Sequence, residues 1–242
     1  MVSAARRACE EDPPRPFADA LSGRDLALIA EVKRRSPSKG DLAMSLDPAR
    51  LAAAYEQGGA SCLSVLTDSE HFGGSSADLV AARAASSLPV LRKDFTVCDA
   101  DVCEARIMGA DAVLLIVAAL SDSELTRFVA LAETLGLAAL VEVHDEAEAE
   151  RAVNAGARLV GVNQRDLHSF EVDTARALRM AKALPDGVTT VAESGIANHD
   201  DIARLAEAGY DAVLVGEALV RAGDPPAAAE AARVLMRGLP CG

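Results

Sequence analysis

Two of the chain's four lysines stand at the ends of short apolar segments. Such segments are typical of buried strands, so each of these strands would end in an ammonium group. Lys33 ends the run 26–33 and Lys93 ends the run 89–93. Burying an ammonium group is costly unless it has a partner or a function. A charge at a strand end that opens into a cleft is suited to general acid–base catalysis. A lysine at the start of a surface loop is the simpler alternative for Lys93.

Three further apolar runs carry a carboxylate or amide side chain at or near their ends. These residues are Glu142, Asn163 and Glu193. Glu142 lies between two valines, so its carboxylate faces the interior if the valines face the helices. Burial raises the pKa of such a carboxylate unless cations are near, which suits a proton donor or base. Charged or amide side chains on five separate runs predict one shared cleft.

Two pairs of polar residues are spaced so that each pair points to one face of a strand. The pairs are Glu31 with Lys33 and Asn163 with Arg165. The turn-rich loop 36–40 follows the first pair and is suited to fold over a ligand. For Glu31 and Lys33 the sequence leaves two alternatives open, a catalytic pair or a structural ion pair inside the fold.

Glycines near two later strand ends predict an anion-binding site. Glu193 is followed by Ser194 and Gly195, and Gly216 is followed by Glu217. Glycine lets an anion approach backbone N–H groups, and the N-terminus of a following helix adds a favourable dipole. We therefore expect a substrate that carries a phosphate. Glycines that only shorten the loops are the alternative.

The elements that must position these residues alternate between short β-branched runs and alanine-rich amphipathic runs. The predicted strands are 26–33, 62–67, 89–93, 112–117, 139–143, 159–163, 189–193 and 212–216. The predicted helices are 47–57, 76–86, 98–108, 121–135, 145–154, 173–183, 198–208 and 225–236. Asp47 and Asp224 each precede a proline, which predicts an N-cap followed by proline at the first helical position.

This alternation predicts an α/β fold, a single (β/α)8 TIM barrel with a short N-terminal extension. Glycines at intervals of about 50 residues, the length of two βα units, are suited to end helices in the left-handed conformation. These glycines are Gly59, Gly109, Gly156 and Gly209. An open doubly wound sheet is the alternative, but no Gly-x-Gly-x-x-Gly follows the first strand.

The expected division of the chain is an N-terminal extension over 1–25 and a barrel over 26–242. Within the extension, the proline-rich segment 10–16 is expected to form no regular element, because proline removes a donor and fixes φ. The segment 17–21 is expected to form a short helix leading into the first strand.

Composition excludes several classes of function. The net charge of −13 opposes binding to nucleic acid or to acidic membranes. The longest apolar stretch, 112–120, is far shorter than the ~20 residues that a transmembrane helix needs. The five cysteines lack metal-ligand spacing, and no secretory leader pattern is present. We therefore expect a cytoplasmic protein; its oligomeric state is left open, and a monomer is compatible with the sequence.

The histidines form no catalytic triad and no metal constellation in the sequence. They are His71, His144, His168 and His199. All fall in predicted loops or helix starts, so we expect them to be solvated, with His199 in the first turn of its helix.

Six segments, one at each of six predicted strands, resemble indole-3-glycerol phosphate synthases. The segments are 29–40, 90–95, 140–143, 161–167, 192–195 and 215–217. They occur in order along 26–240. The resemblance implies a reaction of tryptophan biosynthesis, in which 1-(2-carboxyphenylamino)-1-deoxyribulose 5-phosphate closes its ring and loses carbon dioxide and water. It also implies that no cofactor or metal is used.

The resemblance further implies a role for most of these residues. Lys93 protonates the substrate ketone, with Glu142 as its partner, and Glu31 and Lys33 are the acid–base pair for dehydration. The residues implied to lie near the substrate hydroxyls are Asn163, Arg165 and Glu193. Those implied to bind its phosphate are Ser36, Ser194, Gly195, Gly216 and the Glu217 backbone. Phe95 and Leu167, within the matching segments, are also implied to contact the substrate. The sequence does not decide which lysine performs which proton transfer.

Two other functions are alternatives. Members of that family usually begin with a longer helical extension across the barrel mouth, whereas about 25 residues precede the first strand here. A barrel that binds a sugar phosphate without catalysis is therefore one alternative. Phosphoribosylanthranilate isomerase, another phosphate-binding barrel, is the second alternative. A resemblance to that family would imply a Cys/Asp acid–base pair at the strand ends, and no cysteine occupies such a position here.

Overall fold

A computed structural model describes residues 1–23, 26–167 and 169–237. Within these residues, eight parallel strands close into a barrel, which confirms the predicted fold. The barrel strands are β1 (Ala27–Val32), β4 (Cys62–Leu66), β5 (Val90–Lys93), β6 (Ala112–Ile116), β7 (Ala138–Val143), β8 (Leu159–Asn163), β9 (Thr189–Glu193) and β10 (Ala212–Val215). A small hairpin of β2 (Arg35–Ser36) and β3 (Gly40–Asp41) lies in the loop after β1.

All described helices except α1 follow a barrel strand along the chain, and α1 packs against α5. They are α1 (Val2–Glu11), α2 (Pro48–Gln57), α3 (Ser69–Phe72), α4 (Ser76–Ala85), α5 (Asp99–Ile107), α6 (Asp122–Thr134), α7 (Glu146–Asn154), α8 (Arg176–Met180), α9 (His199–Glu207), α10 (Glu217–Val220) and α11 (Pro225–Met236). Short 3-10 turns lie at Asp19–Leu21 and Val117–Ala119. None of the described helices is long and apolar enough to cross a membrane.

The core has two layers because successive residues of a strand point to opposite faces. One apolar cluster fills the barrel interior and includes Ile29, Leu91, Leu114 and Leu140. The other, richer in valine and alanine, lies between the strands and the helices. Small and branched side chains suit both layers of a TIM barrel.

The helix boundary signals are largely confirmed. Asp47 accepts hydrogen bonds from two backbone N–H groups of α2 and Asp224 accepts one from α11, so both prolines follow a true N-cap. The glycines predicted to end helices all have positive φ angles, at Gly59 (88°), Gly109 (93°), Gly156 (88°) and Gly209 (90°).

The predicted helix 173–183 is wrong in extent, because only α8 is helical in that region. An isolated bridge between Arg165 and Val172 holds the chain extended just before it. The Asp173 side chain then accepts the backbone N–H of Ala175 in a turn. At the other end, Pro185 disfavours helical geometry at the residue before it.

The N-terminal segment packs against the end of the barrel where the strands begin. Phe17 and Leu21 are buried in the interior cluster with Ala27, the first residue of β1. Arg15 donates its backbone N–H to Asp111, directly before β6. The segment therefore closes the end opposite the predicted cleft. The expectation of no regular element over 10–16 is wrong for its first two residues, because α1 continues through Glu11 and packs against α5.

Candidate active site

An ammonium group and two carboxylates meet at the end of the barrel where the strands finish. The Nζ atom of Lys93 lies 2.9 Å from Oε2 of Glu142 and 2.7 Å from Oε2 of Glu193. Both carboxylates are almost completely buried. The alternative of Lys93 as a surface lysine is wrong, because its side chain is only 14% exposed.

A third carboxylate completes this group from the first strand. Glu31 is buried and pairs with Lys33, two residues further along. Glu31, Lys93, Glu142 and Glu193 come from β1, β5, β7 and β9, which are alternate strands around the barrel. Alternate strands supply the side chains of one layer in a TIM barrel. We call these four residues the charged layer.

The charges of this layer set its proton affinities. Burial lowers the pKa of Lys93, but the carboxylates of Glu142, Glu193 and Glu31 outweigh burial and leave that pKa raised. Lys93 is therefore protonated at neutral pH. Burial raises the pKa of Glu142, yet the Lys93 charge and a hydrogen bond from Asn163 leave it lowered, so Glu142 is ionised.

Glu193 differs from Glu142 although both contact the same ammonium group. Burial and the neighbouring charge of Glu142 raise the pKa of Glu193 to about 7, against the opposing effect of Lys93. Its Oε1 atom is buried and has no hydrogen-bond partner among the described residues. Glu193 is therefore the member of the layer that gains or loses a proton near neutral pH.

Two glycines make room for the carboxylates of the charged layer. A Cβ atom at Gly161, on β8, would overlap Oε1 of Glu193. A Cβ atom at Gly216, directly after β10, would overlap Oε1 of Glu31. Neither glycine has a positive φ angle, so space for the neighbouring carboxylate is what requires them.

Asn163 and Arg165 extend the site along β8. The Asn163 side chain hydrogen-bonds to Glu142 and also accepts the backbone N–H of Arg165 at 3.0 Å. The Arg165 guanidinium instead donates to the backbone carbonyl of Phe170 at 2.9 Å. The amide thus contacts the charged layer through Glu142, and the guanidinium bonds to the loop beyond it.

The predicted anion-binding residues lie after adjacent strands. Ser194 and Gly195 follow β9, and Gly216 and Glu217 follow β10, the neighbour of β9 in the sheet. Ser194 and Gly195 have φ angles of 66° and 71°. Left-handed geometry is strained for serine, which is typical of functional loops.

Gln164 holds that strained turn in place. Its Nε2 atom donates to the carbonyl of Ser194 at 2.8 Å, and its backbone N–H donates to the carbonyl of Glu193. The side chain is buried, which fixes the turn relative to β8.

The remaining predicted residues lie around the rim, away from the charged layer's direct contacts. Ser36 is half-buried in the β2–β3 hairpin, opposite Gly40. Phe95 is 47% exposed, and its ring packs edge-on against His71 with 6.3 Å between ring centroids. Leu167 is half-buried and packs against the interior cluster.

One histidine belongs to the site, although we expected all of them to be solvated. His144 is largely buried, and its Nε2 atom lies 3.6 Å from Oε1 of Glu142. The segment Val143-His144 continues the strand that carries Glu142, and this adjacency is the signal that the sequence offered. His199 begins α9 as expected, His71 is half exposed, and His168 lies outside the described residues.

Ser64 was also missed. It is fully buried on β4, in register with Glu31 of β1, and its hydroxyl has no hydrogen-bond partner among the described residues. Across 1–23, 26–167 and 169–237, no group of three or more His, Cys, Asp or Glu side chains is arranged to hold a metal ion.

Comparison with known proteins identifies relatives along almost the whole chain. The model of the family described as indole-3-glycerol phosphate synthase matches residues 2–232. A protein of that name from Beutenbergia cavernae is 57% identical over 208 residues, covering 86% of this chain and 77% of its own length. One from Mycobacterium ulcerans is 52% identical over 228 residues, covering 94% and 84%.

Solved structures agree on the fold alone. Thiamine phosphate pyrophosphorylase from Pyrococcus furiosus has a TM-score of 0.66 and covers 89% of this chain and 98% of its own, with 19% identity. At that identity the likeness reflects a shared barrel.

Proposed function

This chain belongs to the indole-3-glycerol phosphate synthase family, and on that premise we propose that Lys93 is its general acid and that the charged layer, together with Lys33, conducts the proton transfers of the reaction. The chain is a carboxy-lyase of tryptophan biosynthesis, and its substrate is a small phosphorylated molecule. The observation that carries the proposal is the contact of one buried ammonium group with two buried carboxylates at 2.9 and 2.7 Å.

The reaction needs three proton movements at neighbouring atoms, two onto oxygen and one off carbon. In the first half, the ring carbon that bears the carboxylate attacks the ketone carbon, so a carbon–carbon bond forms and the ketone oxygen takes a proton. The bond to the carboxylate then breaks, and its electrons restore the aromatic ring as carbon dioxide leaves. In the second half, the new hydroxyl leaves as water while the neighbouring carbon loses a proton. An acid and a base must therefore face opposite sides of one substrate.

Lys93 is suited to the first half of the reaction. Its raised pKa keeps it protonated until the ketone oxygen gains electron density. Loss of that proton leaves Glu142 and Glu193 without their shared cation. Glu193, whose pKa is close to neutrality, then has the proton affinity to exchange a proton with Lys93.

Glu31 and Lys33 are suited to the dehydration. They form a contact pair at the end of β1, with the Glu31 carboxylate close enough for its charge to raise the pKa of Lys93. One member provides the proton for the departing hydroxyl and the other accepts the proton from carbon.

The loops around the layer supply substrate binding. We propose that the Ser194 hydroxyl and the backbone N–H groups of Gly195, Gly216 and Glu217 bind the phosphate, with Ser36 contributing from the hairpin. The left-handed geometry of Ser194 and Gly195 is suited to direct N–H groups at an anion. Phe95 and Leu167 border the aromatic ring, and Asn163 and Arg165 position the hydroxyls. The expectations of no cofactor, no nucleic acid and a monomer stay predictions.

The experiment follows indole fluorescence after mixing the purified chain with the carboxyphenylamino-deoxyribulose phosphate at neutral pH without added metal. We expect product from the native chain and at least a 10³-fold lower kcat from Lys93→Ala, within the range of general acid catalysis. Lys182→Ala removes an exposed lysine outside the site and should retain full turnover.

Two further measurements exclude trivial explanations. Removing Lys93 leaves buried carboxylates without their cation, so far-UV circular dichroism should verify that the variant is folded, and Lys93→Gln provides a second test at nearly constant volume. Full activity in either variant would refute the assignment of the acid. Ligand binding without product in the native chain would favour the non-catalytic sugar-phosphate barrel instead.

A further inference from the structure

Glu142 has a second basic neighbour besides Lys93. His144, two residues later on the same strand end, places its Nε2 atom 3.6 Å from Oε1 of Glu142. Lys93 occupies the other carboxylate oxygen, Oε2, at 2.9 Å. The two oxygens of one carboxylate thus face two different basic groups.

The His144 ring is held in this orientation from behind. Its Nδ1 atom lies 3.0 Å from Oε2 of Glu148, in the first turn of α7. The same Glu148 oxygen accepts the backbone N–H of His144 at 2.8 Å. Anchoring one ring nitrogen to a carboxylate fixes which way the other nitrogen points. The buried Nε2 atom has no hydrogen-bond partner among the described residues, so it is directed at Glu142 and otherwise unused.

We propose that His144 is a positioning residue that serves as the second cation for Glu142 once Lys93 has passed its proton to the substrate. The inference rests on the proposed role of Lys93. While Lys93 is neutral, Glu142 and Glu193 lack their shared cation, and repulsion between the two carboxylates favours the form in which Glu193 retains the proton that its raised pKa already lets it hold near neutral pH. A protonated His144 stabilises this form, because its charge keeps Glu142 anionic.

The charges around His144 agree with this role. Burial lowers its pKa, but the hydrogen bond that the ring donates to Glu148 and the charges of Glu142 and Glu148 outweigh burial, and the pKa is raised overall. Arg176, on the neighbouring α8, acts in the opposite direction. The groups that face Glu142 itself are Lys93, Asn163 and His144.

The test is the pH profile of kcat for the native chain and for His144→Gln, which keeps a polar side chain but removes the charge. We expect kcat of the variant to be about tenfold lower at neutral pH, with KM little changed. A tenfold effect corresponds to a change of about one in the pKa of Glu142, the lower end of the shift that a nearby charge causes in a carboxylate. The native kcat should fall as pH rises through the pKa of His144, and the two profiles should converge above it. His199→Gln, whose ring bonds to the Leu235 carbonyl, is the matched control and should keep the native profile.

A second variant makes the test independent of the first variant's stability. Glu148→Gln removes the anchor that raises the pKa of His144, so the alkaline fall in kcat should move to lower pH. If His144→Gln lowers kcat by the same factor at every pH, the role of His144 is merely structural and the proposal is overturned. A kcat and a pH profile equal to those of the native chain would overturn it as well. These results leave the role of Lys93 intact, whereas turnover by Lys93→Ala would remove the premise itself.

Discussion

Gly161→Ala is the perturbation that most directly tests whether the position of Glu193 matters. Alanine is compatible with the backbone at Gly161, but its Cβ atom would overlap Oε1 of Glu193 and would lie 3.2 Å from Cδ of Glu193 and from Cδ1 of Leu140. Leu140 belongs to the packed interior and has little room to move. The carboxylate must therefore shift by on the order of 1 Å, which lengthens or breaks its contact with Lys93.

The structure sets the size of both effects. Overpacking a well-filled interior costs about 1–3 kcal/mol in the free energy of unfolding. A displacement of about 1 Å in a catalytic group lowers turnover by about 10²-fold. Because the proposed phosphate loops are separate from this contact, we expect the loss in kcat with a smaller change in KM.

The assay combines urea unfolding with parallel measurement of carbon dioxide release from carboxyl-labelled substrate and of indole fluorescence. In Gly161→Ala, both product signals should fall together, because the perturbed Lys93 acts before decarboxylation. Gly216→Ala is the comparison, since its Cβ atom would overlap the Glu31 carboxylate instead. In a single turnover at saturating substrate, so that weaker phosphate binding at Gly216 does not contribute, that variant should slow indole formation more than carbon dioxide release, because Glu31 and Lys33 act in dehydration.

A double substitution separates steric overlap from other causes of instability. Glu193→Asp shortens the side chain by one methylene and withdraws the carboxylate from the new methyl group. The free energies of unfolding for Gly161→Ala and Glu193→Asp should then be less than additive in the double variant. Native kcat in Gly161→Ala, or strict additivity in the double variant, would refute the reasoning.

Two further predictions concern the proton affinity of Glu193 and the strained turn beside it. The folded-state pKa of Glu193 is raised from 4.5 to about 7, so its stabilising contribution is complete below 4.5 and is lost as pH rises to about 7. As pH rises from 4.5 to 7, the unfolding free energy of Glu193→Gln should therefore increase by up to about 3 kcal/mol relative to that of the native chain. Urea unfolding measures both values, and a difference between the two proteins that does not change with pH would contradict this prediction. Ser194→Gly relieves a left-handed serine, so thermal stability should be kept or raised, while loss of the hydroxyl should raise KM about tenfold without lowering kcat. Unchanged KM and unchanged inhibition by inorganic phosphate would remove Ser194 from the phosphate site.

The sequence predicts the barrel and the members of the charged layer because both depend on local rules. A polar residue that ends an apolar run in a parallel barrel must lie at the same end as every other such residue. Lys93, Glu142 and Glu193 obey this rule from three separate strands, and the valines around Glu142 also predict its inward orientation correctly. The spacing of Glu31 and Lys33 predicts their contact for the same reason.

The parts that the sequence did not predict depend on how one element packs against another. The orientation of His144 requires the first turn of α7 to present Glu148 behind the ring. The shortness of α8 depends on a bridge between Arg165 and Val172, two residues that share no repeating pattern. The importance of Gly161 depends on which side chain lies across from it on β9. Each is a tertiary relation between residues whose local sequence is compatible with other arrangements.

The charged layer explains why this barrel places glycine between its carboxylates. Three carboxylates and two lysines lie at the upper end of a barrel whose lower interior is apolar, so each carboxylate must be adjacent to a cation. The intervening strands β8 and β10 carry or lead into glycine at the level where Glu193 and Glu31 lie. A side chain at either position would fill the space that lets a carboxylate reach its lysine. Glycine there therefore sets proton affinity, because the position of Glu193 beside Lys93 and Glu142 determines its pKa.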